Sequence, residues 1–329
     1  MRHLGRWYVY GPIGAAILAL LLIRTKPWDA FAALDRADLR PLILVVALNL
    51  VIVTLWAVRS KRVLVALGTR LSTTTLWPIV NFANTVNGLT PGSAGEVVRA
   101  MYLNRRFGIP YLDGVASILI ERFYALYLIG LTTLAAIVAQ GGPSPIRSAA
   151  AIAIIAASFV PIAVYRTPLR FSAIATAIAR RSPIARRMLQ RLAHELVSVE
   201  DRLGTVIRSS RAVLEFVVTT FLVFAVMDLQ LLAVGWTTGV DINPVVGWVA
   251  LGLGAIAGTL SALPFGLGAA DATIAAILIL NGVPAAEAGL ITIVLRLTAT
   301  LPTSILGVLS YIYLSRTSGM ERRQSSGPA

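Results

Sequence analysis

Two long apolar stretches of this 329-residue chain are broken in the middle, and those breaks constrain the fold more than any other feature. Leu76–Tyr102 is interrupted at Thr90-Pro91-Gly92, and Val245–Asn281 at Pro264-Phe265-Gly266-Leu267-Gly268. Proline and clustered glycine end helices. Each stretch therefore predicts two arms meeting at a break. The arms look too short to cross a bilayer separately, so two re-entrant hairpins are expected. Irregular backbone survives at membrane depth only where protein or a wet cavity covers it.

The rest of the chain supplies full spans. A spanning helix needs about 20 mostly apolar residues. Six segments qualify: Trp7–Ile23, Leu42–Val58, Val115–Ala139, Ser148–Tyr165, Val213–Val234 and Ala288–Leu314. Residues are 57% hydrophobic and 13% charged, against roughly 25% charged in soluble domains. The N-terminal apolar run lacks a small-residue cleavage site and reads as a retained helix. The expected fold is an all-α polytopic membrane protein with six spanning helices and two hairpins.

Charge sets the orientation. The net charge is +14, and the only lysines are Lys26 and Lys61. With both termini cytoplasmic, the groups Arg2/Arg6, Arg59/Lys61/Arg62/Arg70, Arg105/Arg106 and Arg316/Arg322/Arg323 fall inside, as the positive-inside rule asks. The block 166–211, with ten arginines, falls inside too. It is either a helix on anionic headgroups or a plain positive-inside loop. The segment 24–40 falls outside with four basic residues and is the one mild conflict. A charge placed where topology needs it argues against nucleic acid and for a cytoplasmic membrane.

The two broken stretches occupy matching places in related halves. Pro91 precedes Gly95 by four residues; Gly108-Ile109-Pro110 follows, with Asp113 five and Arg122 fourteen residues after Gly108. Pro264 precedes Gly268 by four; Gly282-Val283-Pro284 follows, with Glu287 five and Arg296 fourteen residues after Gly282. With the spans above, residues 1–140 and 141–315 become repeats of opposite orientation, followed by a disordered tail at 316–329. Inverted repeats with discontinuous helices mark many transporters, whose substrate sites lie between the repeats. A duplication kept only for stability is the alternative.

Charges inside the apolar stretches are the candidate site. Each costs about 2.5–3.5 kcal/mol at bilayer centre on insertion scales. They are Glu96, Arg99, Glu121 and Arg122 after the first break, Asp271 and Arg296 after the second, and Asp228 deep in Val213–Val234. The expected partners are Glu96 or Glu121 for Arg122, and Asp271 for Arg296. Such sets either hold a hairpin to its neighbour or bind an anionic headgroup; guanidinium matches phosphate two-pronged. Proton coupling through Asp271 or Glu96 is a further option. Asn81, Asn84 and Asn87 line one face of the first arm, as helix–helix glue or as a hydrophilic groove. There is no cysteine, and His3 and His194 lie outside the apolar core, so a membrane-embedded histidine base or metal site is excluded. No Gly-x4-Gly-Lys phosphate loop is present, and no cofactor is expected.

The stretch from Asn87 through Thr90-Pro91-Gly92-Ser93-Ala94-Gly95-Glu96 to Arg99 resembles the first motif of the lysylphosphatidylglycerol synthase transmembrane region, or flippase-like, family. Pro264–Asp271 resembles the second, Pro-Gly-Gly-x-Gly followed by an acid. Here Phe265 stands at the first glycine, and the acid is Asp271 after Ala269-Ala270. The resemblance implies lipid translocation. No soluble aminoacyl-transferase domain is expected beyond Leu314, so synthase activity is not implied. The expectation is a flippase for an anionic phospholipid or polyprenyl-phosphate-linked lipid. Arg99, Arg122 and Arg296 would hold phosphate beside Glu96, Glu121 and Asp271. Pro91, Gly92, Gly95, Pro264, Gly266 and Gly268 would make the breaks. Rivals are an enzyme acting on lipid phosphates, and a scaffold for a lipid-modifying enzyme or glycosyltransferase.

Overall fold

The computed structural model describes residues 7–30, 38–90, 94–141, 144–158 and 208–325, with a few positions between 197 and 206. Apart from short 3-10 turns at Pro27–Ala30 and Pro264–Gly266, every described element is a helix. We number them α1 (Trp7–Thr25), α2 (Arg40–Ala66), α3 (Thr73–Leu89), α4 (Ala94–Phe107), α5 (Tyr111–Ala139), α6 (Pro145–Ser158), α7 (Ser210–Thr237), α8 (Pro244–Ser261), α9 (Ala269–Leu280), α10 (Ala285–Leu295) and α11 (Leu301–Ser325). A π-helical turn, Arg296–Thr300, joins α10 to α11.

Five described helices are long and apolar enough to cross a membrane: Arg40–Ala66, Tyr111–Ala139, Arg211–Thr237, Pro244–Ser261 and Ala285–Thr317. Four contain expected spans. The fifth, α8, corrects the expectation that both arms of the second broken stretch are too short. It has 18 residues, and at 1.5 Å per residue that is enough to cross about 27 Å of hydrocarbon. The expected span Trp7–Ile23 falls on α1, Trp7–Thr25. Ser148–Tyr165 is described only to Ser158, as the end of α6. The basic block 166–211 lies mostly outside the described residues, and Pro91 and Gly92 lie outside them too. The C-terminal helix runs on to Ser325, past the point where the tail was expected to lose order. Between Arg316 and Ser325 only Gly319 opposes helix, and extending a formed helix is far easier than starting one.

Polar and charged side chains are buried among apolar ones, and large apolar side chains cover the outside. Asn49, Asn81, Arg99, Glu121, Gln230 and Asp271 are all buried, while Ile43, Leu214, Phe221, Leu260, Leu301 and Ile305 stand exposed. A water-soluble protein would invert that pattern. In lipid it is expected, because polar side chains must find partners within the bundle and apolar ones need not hide. The chain is a multi-pass membrane protein.

Helix α7 packs along α2, α11 along α3, and α8 along α9, with α5 against α8 and α4. The main apolar core gathers α7, α8, α9 and α10 around Leu231, Leu278 and Ile291. A second joins α2, α3 and α4 at Leu64, Leu76 and Leu103. The first broken stretch, α3 and α4, and the second, α8 and α9, meet where α3 contacts the turn at Pro264–Gly266.

Candidate functional site

At the first junction α4 restarts after the break with Glu96 as its third residue. Backbone N–H groups at a helix N-terminus favour an acid there. Asn87, from the end of α3, fixes it twice. Its Oδ1 accepts from the Glu96 backbone N–H at 3.1 Å, and its Nδ2 donates to Glu96 Oε1 at 2.9 Å. A Cβ on Gly95 would run into the Ala83 carbonyl and the Asn87 side chain, so only glycine lets the arms close.

Three guanidinium groups converge on that point. Arg122 donates from Nε to Glu96 Oε1 at 2.8 Å, with Nη2 2.7 Å from the same oxygen. Arg99 grips Glu121 with both terminal nitrogens, at 3.1 and 3.0 Å, and lies 3.9 Å from Glu96. Arg59, on α2, brings Nε within 3.9 Å of Glu121 and lays its guanidinium 5.4 Å from the centre of the Phe216 ring. Among the described residues, three positive groups here face two carboxylates. Arg99 is 4% exposed and Arg122 42%. Arg99 is thus enclosed, and Arg122 is the most exposed arginine of the cluster.

The second junction repeats the geometry with fewer charges. Asp271 is the third residue of α9, and its Oδ2 accepts from the Gly268 backbone N–H at 2.8 Å. Arg296 binds it two-pronged, Nε to Oδ1 at 2.6 Å and Nη2 to Oδ2 at 2.7 Å. The same guanidinium reaches the Phe265 carbonyl at 3.3–3.4 Å. One arginine meets one carboxylate, so this junction is balanced. Its backbone is tightly turned: Phe265, Gly266 and Gly268 have φ of 51°, 61° and 80°. For phenylalanine that conformation costs of order 1 kcal/mol.

Arg296 also opens the π turn. Proline at position 302 has no N–H for the Thr298 carbonyl. Asn49 of α2 supplies the missing donor, Nδ2 to Thr298 O at 2.8 Å. Gln230 of α7 in turn donates to Asn49 Oδ1 at 3.1 Å and to the Val45 carbonyl at 2.9 Å. A π turn held by neighbouring side chains is a common mark of a functional site.

Two cavities flank the point where the junctions meet. The larger, about 390 Å³, is lined by Asn87, Thr90 and Arg122 from the first junction, and by Gly258, Phe265 and Gly266 from the second. Small residues on α8 leave the space that the Arg122 head faces. The smaller, about 210 Å³, is lined by Asn49, Asn81, Asn84, Gln230, Thr303 and Ser304, with Phe265 again on its wall. The expected asparagine row is therefore split, with Asn81 and Asn84 in one chamber and Asn87 in the other.

A sequence profile described as the lysylphosphatidylglycerol synthase TM region matches residues 10–307. The chain belongs to that family. One curated relative is a protein named Glycosyltransferase AglD from Haloferax volcanii, 33% identical over 131 residues. The match takes in 38% of this chain and 20% of the relative, so the chain spans about a fifth of that protein's length.

Within this lysylphosphatidylglycerol synthase TM family member, the structure sorts the expected site residues unevenly. Glu96 with Arg122, and Asp271 with Arg296, pair as expected. Glu121 belongs to Arg99 and Arg59, not to its neighbour Arg122. Neither Arg99, Glu121 nor Arg296 lines a described cavity, although Arg296 touches the wall through Phe265. Sequence reading placed Arg59 in a basic inner loop and did not single out Asn49 or Gln230. Amides within apolar spans were the available signal for the last two.

Proposed function

We propose that this protein translocates an anionic lipid across a cytoplasmic membrane, with the lipid phosphate engaged at Arg122. The observation that carries this is the first junction, where the described residues set three guanidinium groups against two carboxylates. Its most exposed guanidinium opens into a cavity between two broken helices. Excess positive charge at low dielectric attracts an anion strongly. The Arg122–Glu96 contact can exchange for phosphate, because Glu96 keeps Asn87 and its helix N-terminus as partners. The balanced second junction serves as the counterpart, a hinge whose Asp271–Arg296 pair stays closed.

In this reading the halves 1–140 and 141–315 are inverted copies, the broken stretches enter the membrane from opposite faces, and both termini are cytoplasmic. The equal placement of Glu96 and Asp271, each third in its helix, supports common descent of the halves. The relative's name favours a second reading. A protein named as a glycosyltransferase shares part of this sequence, so a lipid-modifying enzyme or glycosyltransferase as a partner is consistent with it.

The test is translocation of acyl-labelled phosphatidic acid and phosphatidylglycerol in proteoliposomes, read by quenching of the outer leaflet. Wild type is expected to move both, and Arg122→Gln to stay folded and lose at least about tenfold in rate, the worth of one charged contact. Arg122→Lys should recover only part, since ammonium cannot make the two-pronged contact. Full activity in a folded Arg122→Gln variant sinks the assignment. On the same vesicles a Ser144→Cys probe, in a chain without native cysteine, should label only from the outer face.

A further inference from the structure

Asp228, deep in α7, belongs to neither junction. It is 6% exposed. Its Oδ1 has no hydrogen-bond partner, and no ion pair reaches either oxygen, among the described residues. The carboxyl lies against α8, where a Cβ on Gly247 would land on Oδ1. Asp228 continues a stripe that α7 lays on that helix. Phe221 and Phe224, seven and four residues earlier, meet the Trp248 ring at 5.2 and 5.7 Å between centres. Trp248 Nε1 is itself buried without an acceptor, so it does not serve the acid.

The titratable groups on the helices packed against α7 are occupied elsewhere or lie apart from Asp228. Helix α8 has none. On α2, Arg62 meets Glu215 of α7, thirteen residues or about 20 Å of helix from Asp228. Arg59 and Lys61 stand at that same end, and Arg40, at the other, is exposed beside Asp38. On α5, Glu121 and Arg122 belong to the first junction, and Tyr111 and Asp113 lie earlier still, in its first turn. Tyr124 packs on Phe216, and Tyr127 donates to the Ala157 carbonyl. On α10, Glu287 keeps an unmatched Oε2 of its own. No acid cluster among the described residues could hold a metal ion.

A carboxylate here would be a buried charge without a counter-charge, which apolar surroundings penalise heavily. A carboxylic acid carries no such charge, so the ligand that suits this setting is a proton. Ionisation needs water or a cation at Oδ1, and Gly247 covers that oxygen. The proton then leaves when α8 moves off α7: the O–H bond breaks, entering water takes the proton, and the carboxylate gains hydration. Gly254 and Gly258 of the same helix line the larger chamber. We infer that Asp228 is a proton-binding site, and that release of its proton is linked to separation of α8 from α7. The inference stands apart from the lipid reading of Arg122 and adds a second ligand, bound at the same helix.

The test is infrared spectroscopy of the full chain in phosphatidylcholine vesicles, taken as the difference between acidic and alkaline buffer. A carboxyl without strong hydrogen bonds absorbs at the high-frequency end of the carboxylic C=O range. Wild type should show such a band in acid and lose it reversibly in alkali. Isotope-labelled aspartate should shift the band, and labelled glutamate should not. Asp228→Asn should lack it. In Asp228→Glu the band should follow labelled glutamate instead, which keeps the assignment testable where the asparagine variant does not fold. Gly247→Ala, whose methyl displaces Oδ1, should move the band to lower frequency as the carboxyl meets water. A band that persists in alkali marks a permanently neutral structural acid, and no band in either buffer marks a permanent carboxylate; either overturns the proton site. Loss of the band on adding sodium at constant pH overturns it in favour of a cation site. A band retained in folded Asp228→Asn belongs to another residue and overturns it as well. An unaltered band in folded Gly247→Ala overturns the link to α8.

Discussion

The two junctions share a backbone plan and differ in charge. Each restarts its second arm with an acid at the third position, Glu96 or Asp271. Each meets an arginine twelve residues into the next helical run, Arg122 counted from Tyr111 and Arg296 from Ala285. The first junction then adds Arg99, Glu121 and Arg59; the second adds only the Phe265 carbonyl. Its exposed arginine is 42% accessible, against 20% for Arg296. Duplicated geometry can thus be put to two uses. On the proposed reading, the balanced and closed pair is the strut, and the larger cluster is where the lipid phosphate would bind.

The comparison breaks most visibly if the struts are removed. Arg99→Gln leaves Glu121 buried with only the loose Arg59 contact, and loss of one partner of a buried pair costs about 3–5 kcal/mol. We expect the largest loss of thermal stability in detergent there, and a smaller one for Arg296→Gln. Removing both partners orphans no charge, so Arg296→Gln/Asp271→Asn should recover most of the loss. Arg99→Gln/Glu121→Gln should recover less, because Arg59 then lacks its carboxylate. Equal recovery at the two junctions would show that the charge excess has no structural consequence.

Much of this was legible in the sequence, and what was not has physical causes. The breaks, the acids after them and the paired arginines follow from local spacing. The partner of Glu121 does not. Adjacent helix residues point about 100° apart, so Glu121 and Arg122 cannot serve one partner as sequence proximity suggests. Arg59 sits in a run of basic residues that the positive-inside rule explains well enough alone. Its contact with Glu121 spans more than sixty residues and leaves no local pattern. The length of α8 was hidden because its apolar run flows without pause into the break. Asn49 became significant only when proline at position 302 left the Thr298 carbonyl without a helical donor.

A smaller effect is expected at the wall between the chambers. The Phe265 ring lies against Gly88, where any side chain would collide with it. Phe265→Gly removes the ring and relieves a left-handed φ of 51°. Lost packing and relieved strain offset each other, so stability should change by no more than about 1 kcal/mol. The chambers become one, and the phosphatidic acid rate should hold or rise. Gly88→Leu pushes the ring the other way and should slow every lipid. If Phe265→Gly slows phosphatidic acid, the ring positions phosphate instead of dividing the chambers.

The smallest effect tests whether the backbone plans are equivalent where charge plays no part. Gly108 and Gly282 each stand two residues before a proline, with φ of 65° and 93° and open space around the position of a Cβ. Alanine meets no atom at either site, so the cost is conformational alone, about 1 kcal/mol. Gly108→Ala and Gly282→Ala should therefore destabilise equally, within about 0.5 kcal/mol, and add in the double variant. Neither should alter the phosphatidic acid rate, since neither lines the two chambers described above. A clearly larger loss at one site would mean that the halves differ in their connections as well as their charges. The excess of guanidinium groups at the first junction would then be one asymmetry among several, and could no longer be singled out as the ground for proposing lipid binding there.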